Sequence, residues 1–187
     1  MWSRRRSSPW WWHRGKRRRA LGAIVALFAA ASLAGVWLTS RVPARLGTEG
    51  MDGTVQGPAR VHDGDTLTIA GRRIRLHGVD APELDQSCLR DGVAWACGRE
   101  AAFALAQRVA GRLVSCRGVT TDRFGRLVAL CTVDGENLNR WLVREGWAVA
   151  YRRYSDAYVV DEWIARWHGR GLWAGSFDPP EHWRQGR

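Results

Sequence analysis

No Cys-x-x-Cys pair occurs anywhere in the 187 residues, which argues against a thiol redox site or a zinc knuckle. None of His62, His77, His168 or His182 has a second histidine or a cysteine three to five residues away, so a zinc-type histidine pair is also missing and these rings read as surface or packing residues. No segment repeats. The first nineteen residues contain no acid, and residues 20–38 contain no charge of either sign.

What is present is arginine, unevenly spread. The net charge is +11. Arg4, Arg5, Arg6, Arg14, Lys16, Arg17, Arg18 and Arg19 supply +8 of it, which leaves about +3 for residues 20–187. The folded part is therefore not a strongly basic surface, and any grip on phosphate there must come from individually placed arginines. The run "ALGAIVALFAAASLAGVWL" (20–38) would make a helix of about 28 Å, close to a bilayer core of ~30 Å. Its basic flank predicts a cytoplasmic tail over 1–19, a transmembrane signal anchor over 20–38, and export of everything after it. A cleaved signal peptide, cut near Ser32-Leu33-Ala34-Gly35, is the alternative and would give a secreted protein. Residues 39–54 read as a linker.

Cys88, Cys97, Cys116 and Cys131 form an even set. In an exported domain that implies two disulfides. Three pairings are compatible with the sequence. Loop logic favours Cys88–Cys97 closing a loop and Cys116–Cys131 joining two strands, each contributing ~2–4 kcal/mol.

Residues 55–187 read as one domain. Alternation around Val61, then Leu67 and Ile69, then Ile74, Leu76 and Val79, with turn signals at Asp63-Gly64 and Ala70-Gly71, predicts a meander of short strands. Residues 84–98 read as a loop. A helix is expected over 99–111 with Ala102, Phe103, Ala106 and Val109 on its inner face. A second is expected over 136–146 with Leu138, Trp141 and Leu142 inward. A third should follow Ser155 or Asp156, with Val160, Trp163, Ile164 and Trp167 as its buried stripe. "RLVSCRG" and "RLVALCTV" supply two more strands. The sum is an α+β fold, a five-stranded Greek-key barrel packed by three helices.

Four acids stand close together in this arginine-rich chain: Asp63 and Asp65 in "DGDT", Asp80 and Glu83 in "RLHGVDAPE". Two carboxylates at neighbouring strand ends, Asp65 and Asp80, repel unless a cation lies between them. Oxygen-only ligands imply a hard divalent ion, Ca²⁺ ahead of Mg²⁺. Ala81 precedes Pro82, so its backbone is held extended and its carbonyl can join the same ion. Arg75 and Arg126 offer forked, permanently charged donors suited to phosphate oxygens. Glu83 is placed to take a proton from water.

"DGDT" (63–66), "RLHGVDAPE" (75–83) and "DRFGR" (122–126), in that order with "GREA" between the last two, resemble the staphylococcal nuclease (thermonuclease-like) family. The resemblance spans about residues 55–173. It implies an OB-type five-stranded barrel with three helices and a calcium-dependent endonuclease acting on DNA or RNA with little sequence preference. By resemblance Asp65, Asp80 and the Ala81 carbonyl bind the ion, and Asp63 is an acid one water removed from it. Glu83 is the general base, and Arg75 and Arg126 hold the scissile phosphate. Arg123, Phe124 and Tyr151 line the substrate pocket, Phe124 standing where tyrosine is common. The alternative is a module of the same fold, anchored to the cell envelope, that binds nucleic acid or protein without chemistry.

Overall fold

The computed structural model describes residues 48–49 and 53–186. The basic tail 1–19 and the membrane span expected at 20–38 lie outside the described residues, as does most of the linker stretch. Among the described residues no helix is long and apolar enough to cross a membrane.

Thr48–Glu49 (β1) pairs antiparallel with Thr54–Gly57 (β2), inside the stretch read as linker. Ala59–Val61 (β3) continues β2 after Pro58, a residue with no N–H to give to a ladder. Thr66–Ile69 (β4) and Arg72–Leu76 (β5) follow as a hairpin. Its two turn residues, Ala70 and Gly71, both lie at positive φ, 49° and 79°, as a primed two-residue turn requires. Val79–Asp80 (β6) leads into a second hairpin, Cys88–Arg90 (β7) and Val93–Trp95 (β8). This hairpin corrects the loop expected over 84–98, which holds Cys88 and Cys97. Then come helix α1 (Cys97–Val109), strands β9 (Val114–Thr121), β10 (Leu127–Val133) and β11 (Glu136–Asn137), helix α2 (Leu138–Arg144) and β12 (Val149–Ala150). Helix α3 (Val159–Trp167), a 3₁₀ turn (Gly171–Ala174) and a short helix α4 (Pro180–Gln185) complete the described chain.

The main sheet runs β1-β2-β9-β10-β5-β4-β3, with β11 beside β10. β10 and β5 pair in parallel; the other neighbours are antiparallel. β2 pairs with β9, and β3, its continuation past Pro58, pairs with β4. The sheet therefore curls until both of its ends rest on one run of chain, the OB-type α+β arrangement. The five expected strands correspond to β2–β3, β4, β5, β9 and β10, and the short strands β1 and β11 extend the same sheet. Four helices, rather than three, stand among the described residues.

Leu67, Ile69, Ile74, Leu76, Val114 and Ala129 fill the interior with Leu105 of α1 and Leu138 and Leu142 of α2. The Cys116–Cys131 bond joins directly paired residues of β9 and β10. Cys88–Cys97 ties β7 to the start of α1, and Leu172 and Phe177 pack against it. Asn139 of α2 is fully buried. Its Oδ1 accepts from the Cys131 N–H at 3.0 Å, and its Nδ2 donates to the His77 carbonyl at 2.9 Å and the Ala129 carbonyl at 3.1 Å. One side chain thus fastens α2 to β10 and to the turn between β5 and β6.

Two helix faces differ from expectation. In α1 the buried residues are Cys97, Gly98, Ala101, Leu105 and Val109, while Phe103 is exposed. In α3 the apolar stripe points outward: Val160 is 72 %, Trp163 67 % and Trp167 87 % exposed. Asp161, Glu162 and Ala165 face inward instead. The carboxylates go inside because each finds partners there. Glu162 accepts from the Ala150 N–H at 3.1 Å and pairs with Arg152; Asp161 accepts from Arg140 at 3.2 Å. Buried polar groups with partners override a stripe that hydrophobicity alone would turn inward. The helix also starts at Val159, later than the Ser155 or Asp156 cap expected, and the Ser155 hydroxyl caps the preceding turn by accepting from the Ala157 N–H.

Candidate active site

The β4–β5 register sets the first two groups. Thr66 lies opposite Arg75, and the Leu76 N–H donates to the Asp65 carbonyl at 2.9 Å. Asp65 thus sits at the mouth of the hairpin, beside the Arg75 side chain. Asp63 shapes the approach: its Oδ1 accepts from the Asp65 N–H at 3.0 Å, an Asx-type turn. Gly64 is required there, since a Cβ would stand 2.6 Å from the Ala81 Cβ. Asp80 is brought in by β6, whose pairing with β12 places it opposite Val149.

Asp65 and Asp80 are buried, 3 % and 1 % exposed. Arg75 bridges them. Its Nη1 donates to Asp65 Oδ1 at 2.6 Å and its Nη2 to Asp80 Oδ1 at 3.0 Å. Asp65 Oδ2 accepts from the Ala81 N–H at 3.0 Å, so Ala81 is joined to the site through its amide. Burial, above all, and then the charges of Asp63 and Asp80 push the Asp65 carboxyl up to about 7, against the opposing pull of Arg75 and the Ala81 amide. Burial works against the charge of Arg75, yet Asp65 and then Asp80 hold its pKa above the ordinary arginine value.

Glu83 follows on a loop clamped from both sides. Its N–H donates to the Gln86 Oε1 at 3.2 Å, and its carbonyl accepts from the Gln86 N–H at 2.8 Å. The start of α1 packs so closely that a Cβ on Gly98 would lie 1.7 Å from the Glu83 carbonyl oxygen. The Glu83 carboxylate accepts from Arg184 of α4 at 2.9 Å, a residue outside the motifs that point to the site. The same guanidinium donates to Asp80 Oδ2 at 2.9 Å.

The loop Thr121–Arg126 is organised apart from these acids. Asp122 accepts from the Phe124 and Arg126 N–H groups and from the Arg126 Nε at 2.7 Å. Although partial burial opposes it, these bonds hold the Asp122 carboxyl below the usual range. Arg123 and Arg126 lie over the exposed Phe124 ring, at 4.8 and 5.4 Å. The partners of Arg126 are thus Asp122 and Phe124, and the second guanidinium joined to the acids is Arg184. Tyr151 touches Glu181 of α4 through its hydroxyl, at 3.4 Å. Burial, then the fields of Asp80 and Glu181, raise its pKa.

Four carboxylates (Asp63, Asp65, Asp80, Glu83) face two guanidiniums (Arg75, Arg184), a surplus of two negative charges. Among the described residues no group of three or more His, Cys, Asp or Glu side chains is arranged to hold a metal ion. A cation would therefore have two carboxylates, backbone oxygen and water as its ligands. That set fits a hard divalent ion that keeps part of its hydration. The surplus of acids over guanidiniums leaves room for one more positive group.

A match to the family model described as staphylococcal nuclease homologue covers residues 73–175. The chain belongs to that family. A succinoglycan biosynthesis protein, ExoI, of Rhizobium meliloti (strain 1021) is 42 % identical over 132 residues, which are 67 % of this chain and 66 % of that protein. An uncharacterized endonuclease of Escherichia coli O157:H7 is 35 % identical over 133 residues, 81 % of its length. A probable staphylococcal-like nuclease, CAN1, of Oryza sativa subsp. japonica is 31 % identical over 125 residues, 35 % of its length. The chain thus spans about two thirds of the rhizobial relative and about one third of the rice one, and the family resemblance covers the part that holds Arg75, Asp80, Glu83 and Arg126.

The raised Asp65 has a measurable consequence. A carboxyl that titrates near 7 when folded and near 4 when unfolded binds more protons in the native state between those values. Without a divalent cation, the contribution of Asp65 to stability then falls as pH rises from about 4 to about 7. Melting temperatures in chelator should drop across that window, and excess divalent cation should flatten the drop. Asp65→Asn should remove the same part of the slope; an unchanged slope in that variant would refute the assignment.

Proposed function

We propose that the chain is a divalent-cation-dependent phosphodiesterase, with Ca²⁺ the preferred ion, that hydrolyses DNA or RNA with little sequence preference. The observation that carries this reading is the Arg75 guanidinium, held between two buried carboxylates with Glu83 on the adjoining loop. Asp65, Asp80 and the Ala81 carbonyl would hold the ion, which when bound supplies Lewis-acid stabilisation of phosphoryl charge and a more acidic water. Arg75 binds the non-bridging phosphate oxygens and stabilises the charge that grows there in the transition state. Glu83 takes the proton of the attacking water. Arg123, Arg126 and the exposed Phe124 ring form a cationic and aromatic ledge for a neighbouring nucleotide, and Tyr151 closes the other side.

The nuclease naming of several relatives supports this substrate class. The two disulfides support an oxidising compartment, consistent with an exported domain tethered by residues 20–38. The test is digestion of single-stranded DNA, RNA and plasmid by the purified protein. Chelation should stop cleavage, and Glu83→Gln should slow it by about a hundredfold or more. Cleavage that survives both would contradict the mechanism.

A further inference from the structure

We infer that Arg184 is a substrate-binding arginine of this site, donated by the C-terminal helix and taking the phosphate together with Arg75. The inference rests on the phosphodiesterase reading and adds to it a residue that the sequence motifs do not contain.

The geometry centres on Asp80. Arg75 holds its Oδ1 at 3.0 Å and Arg184 its Oδ2 at 2.9 Å. Two guanidiniums therefore flank one buried carboxylate. Arg184 reaches further, to Glu83 Oε1 at 2.9 Å. A phosphodiester bound by Arg75, with its attacking water on Glu83, must lie beside the group that touches both Asp80 and Glu83. The Arg184 side chain is 35 % exposed, and its two bonds to Glu83 and Asp80 use two of the five N–H donors of a guanidinium. Planar forked donors suit a phosphate with two free oxygens.

The tail that carries Arg184 is built into the fold. Ser176 and Leu89 exchange two backbone hydrogen bonds, each 2.9 Å. Gln86, with no exposed surface, donates to the Asp178 carbonyl at 2.7 Å. Phe177 packs on the Cys88–Cys97 cluster and stacks edge-on with Trp173. Glu181 accepts from Tyr151 and from Arg153. Gln86 also clamps the Glu83 loop, so one buried side chain positions the base and the tail together. A segment fixed at this many points is a permanent wall of the site rather than a releasable plug over it.

The experiment compares wild type, Arg184→Ala and Arg184→Lys, all as the full chain, in two measurements. The first is binding of a short single-stranded oligonucleotide in chelator across a salt series. Each phosphate contact to a single strand contributes about 0.7 to the slope of log affinity against log salt. Arg184→Ala should make the slope shallower by about 0.7, and Arg184→Lys should keep the wild-type slope, because the charge remains. The second is cleavage with cation present, where Arg184→Ala should lose about a hundredfold in kcat/KM and Arg184→Lys should recover only part of it. An unchanged slope in Arg184→Ala would overturn the inference, as would tighter binding or faster cleavage, which a plug would give. Wild type that binds no oligonucleotide at any salt would overturn the phosphodiesterase reading itself, and this inference with it.

Discussion

Arg75→Ala is expected to lower cleavage by a thousandfold or more and to destabilise the fold in the same stroke. The two effects share one cause. Arg75 is the group that touches both buried acids, one through each terminal nitrogen. Its removal leaves Asp65 with the Ala81 amide and the Thr66 hydroxyl, and Asp80 with Arg184. Breaking a buried pair by deleting one partner costs up to about 3–5 kcal/mol when an uncompensated charge stays behind; the cost here falls below that, because Asp80 keeps Arg184 and the already raised Asp65 carboxyl takes up a proton. Divalent cation should restore much of that stability by supplying positive charge between the acids. It should not restore the rate, because the phosphate has lost its forked donor. Arg75→Lys separates the two roles. An ammonium supplies charge but cannot span two carboxylates in a fixed fork, so stability should return further than activity. Chemical denaturation with and without cation, beside the digestion assay, decides the matter. An alanine variant that unfolds at the wild-type denaturant concentration and cleaves normally would remove Arg75 from the site.

The acids and Arg75 were legible because local rules place them. Asp63-Gly64-Asp65 is a turn, a strand of four residues follows, and the Ala70-Gly71 hairpin returns Arg75 to the level of Asp65. Register does this work within fifteen residues, and no tertiary knowledge is needed. Asp80 follows on the same strand path. The curled sheet was legible for the same reason, as a succession of alternating runs and turn residues. Asp91-Gly92, both at positive φ, was an equally plain hairpin signal between Cys88 and Cys97, and the disulfide loop obscured it. Arg184 left no such trace. It lies 104 positions from Asp80, in a tail whose path depends on Ser176 pairing with Leu89 and on Gln86 reaching Asp178. Helix α3 misled in another way. Its apolar stripe is real, but Glu162 and Asp161 have partners inside while Trp163 and Trp167 stand exposed among the described residues, and a hydrophobic pattern carries no information about partners.

Asn139→Ala is the second large effect expected, and it acts through the backbone. The side chain replaces two strand-like bonds that the fold cannot make otherwise. Without it the Cys131 N–H loses its acceptor and the His77 carbonyl loses its donor, both in a dry interior. The Ala129 carbonyl fares better, since it still accepts from the His77 N–H at 2.9 Å. Two orphaned groups, at about 1–3 kcal/mol each, predict a loss of roughly 2–6 kcal/mol. Aspartate at this position should be worse than alanine at neutral pH. It keeps an acceptor for Cys131 but turns a second anionic oxygen toward the carbonyls of His77 and Ala129. Protonation would convert that oxygen into a donor, so the Asn139→Asp variant should regain stability relative to wild type as pH falls, while Asn139→Ala should follow the wild-type pH dependence. The activity follows the turn. His77 and Gly78 connect Arg75 to Asp80, and a slackened turn loosens the distance between the guanidinium and the carboxylate it must hold. Urea denaturation of both variants at two pH values measures this directly. An alanine variant within about 0.5 kcal/mol of wild type would mean that water or a neighbouring group takes over both bonds, and that α2 is not what fixes the spacing of Arg75 and Asp80.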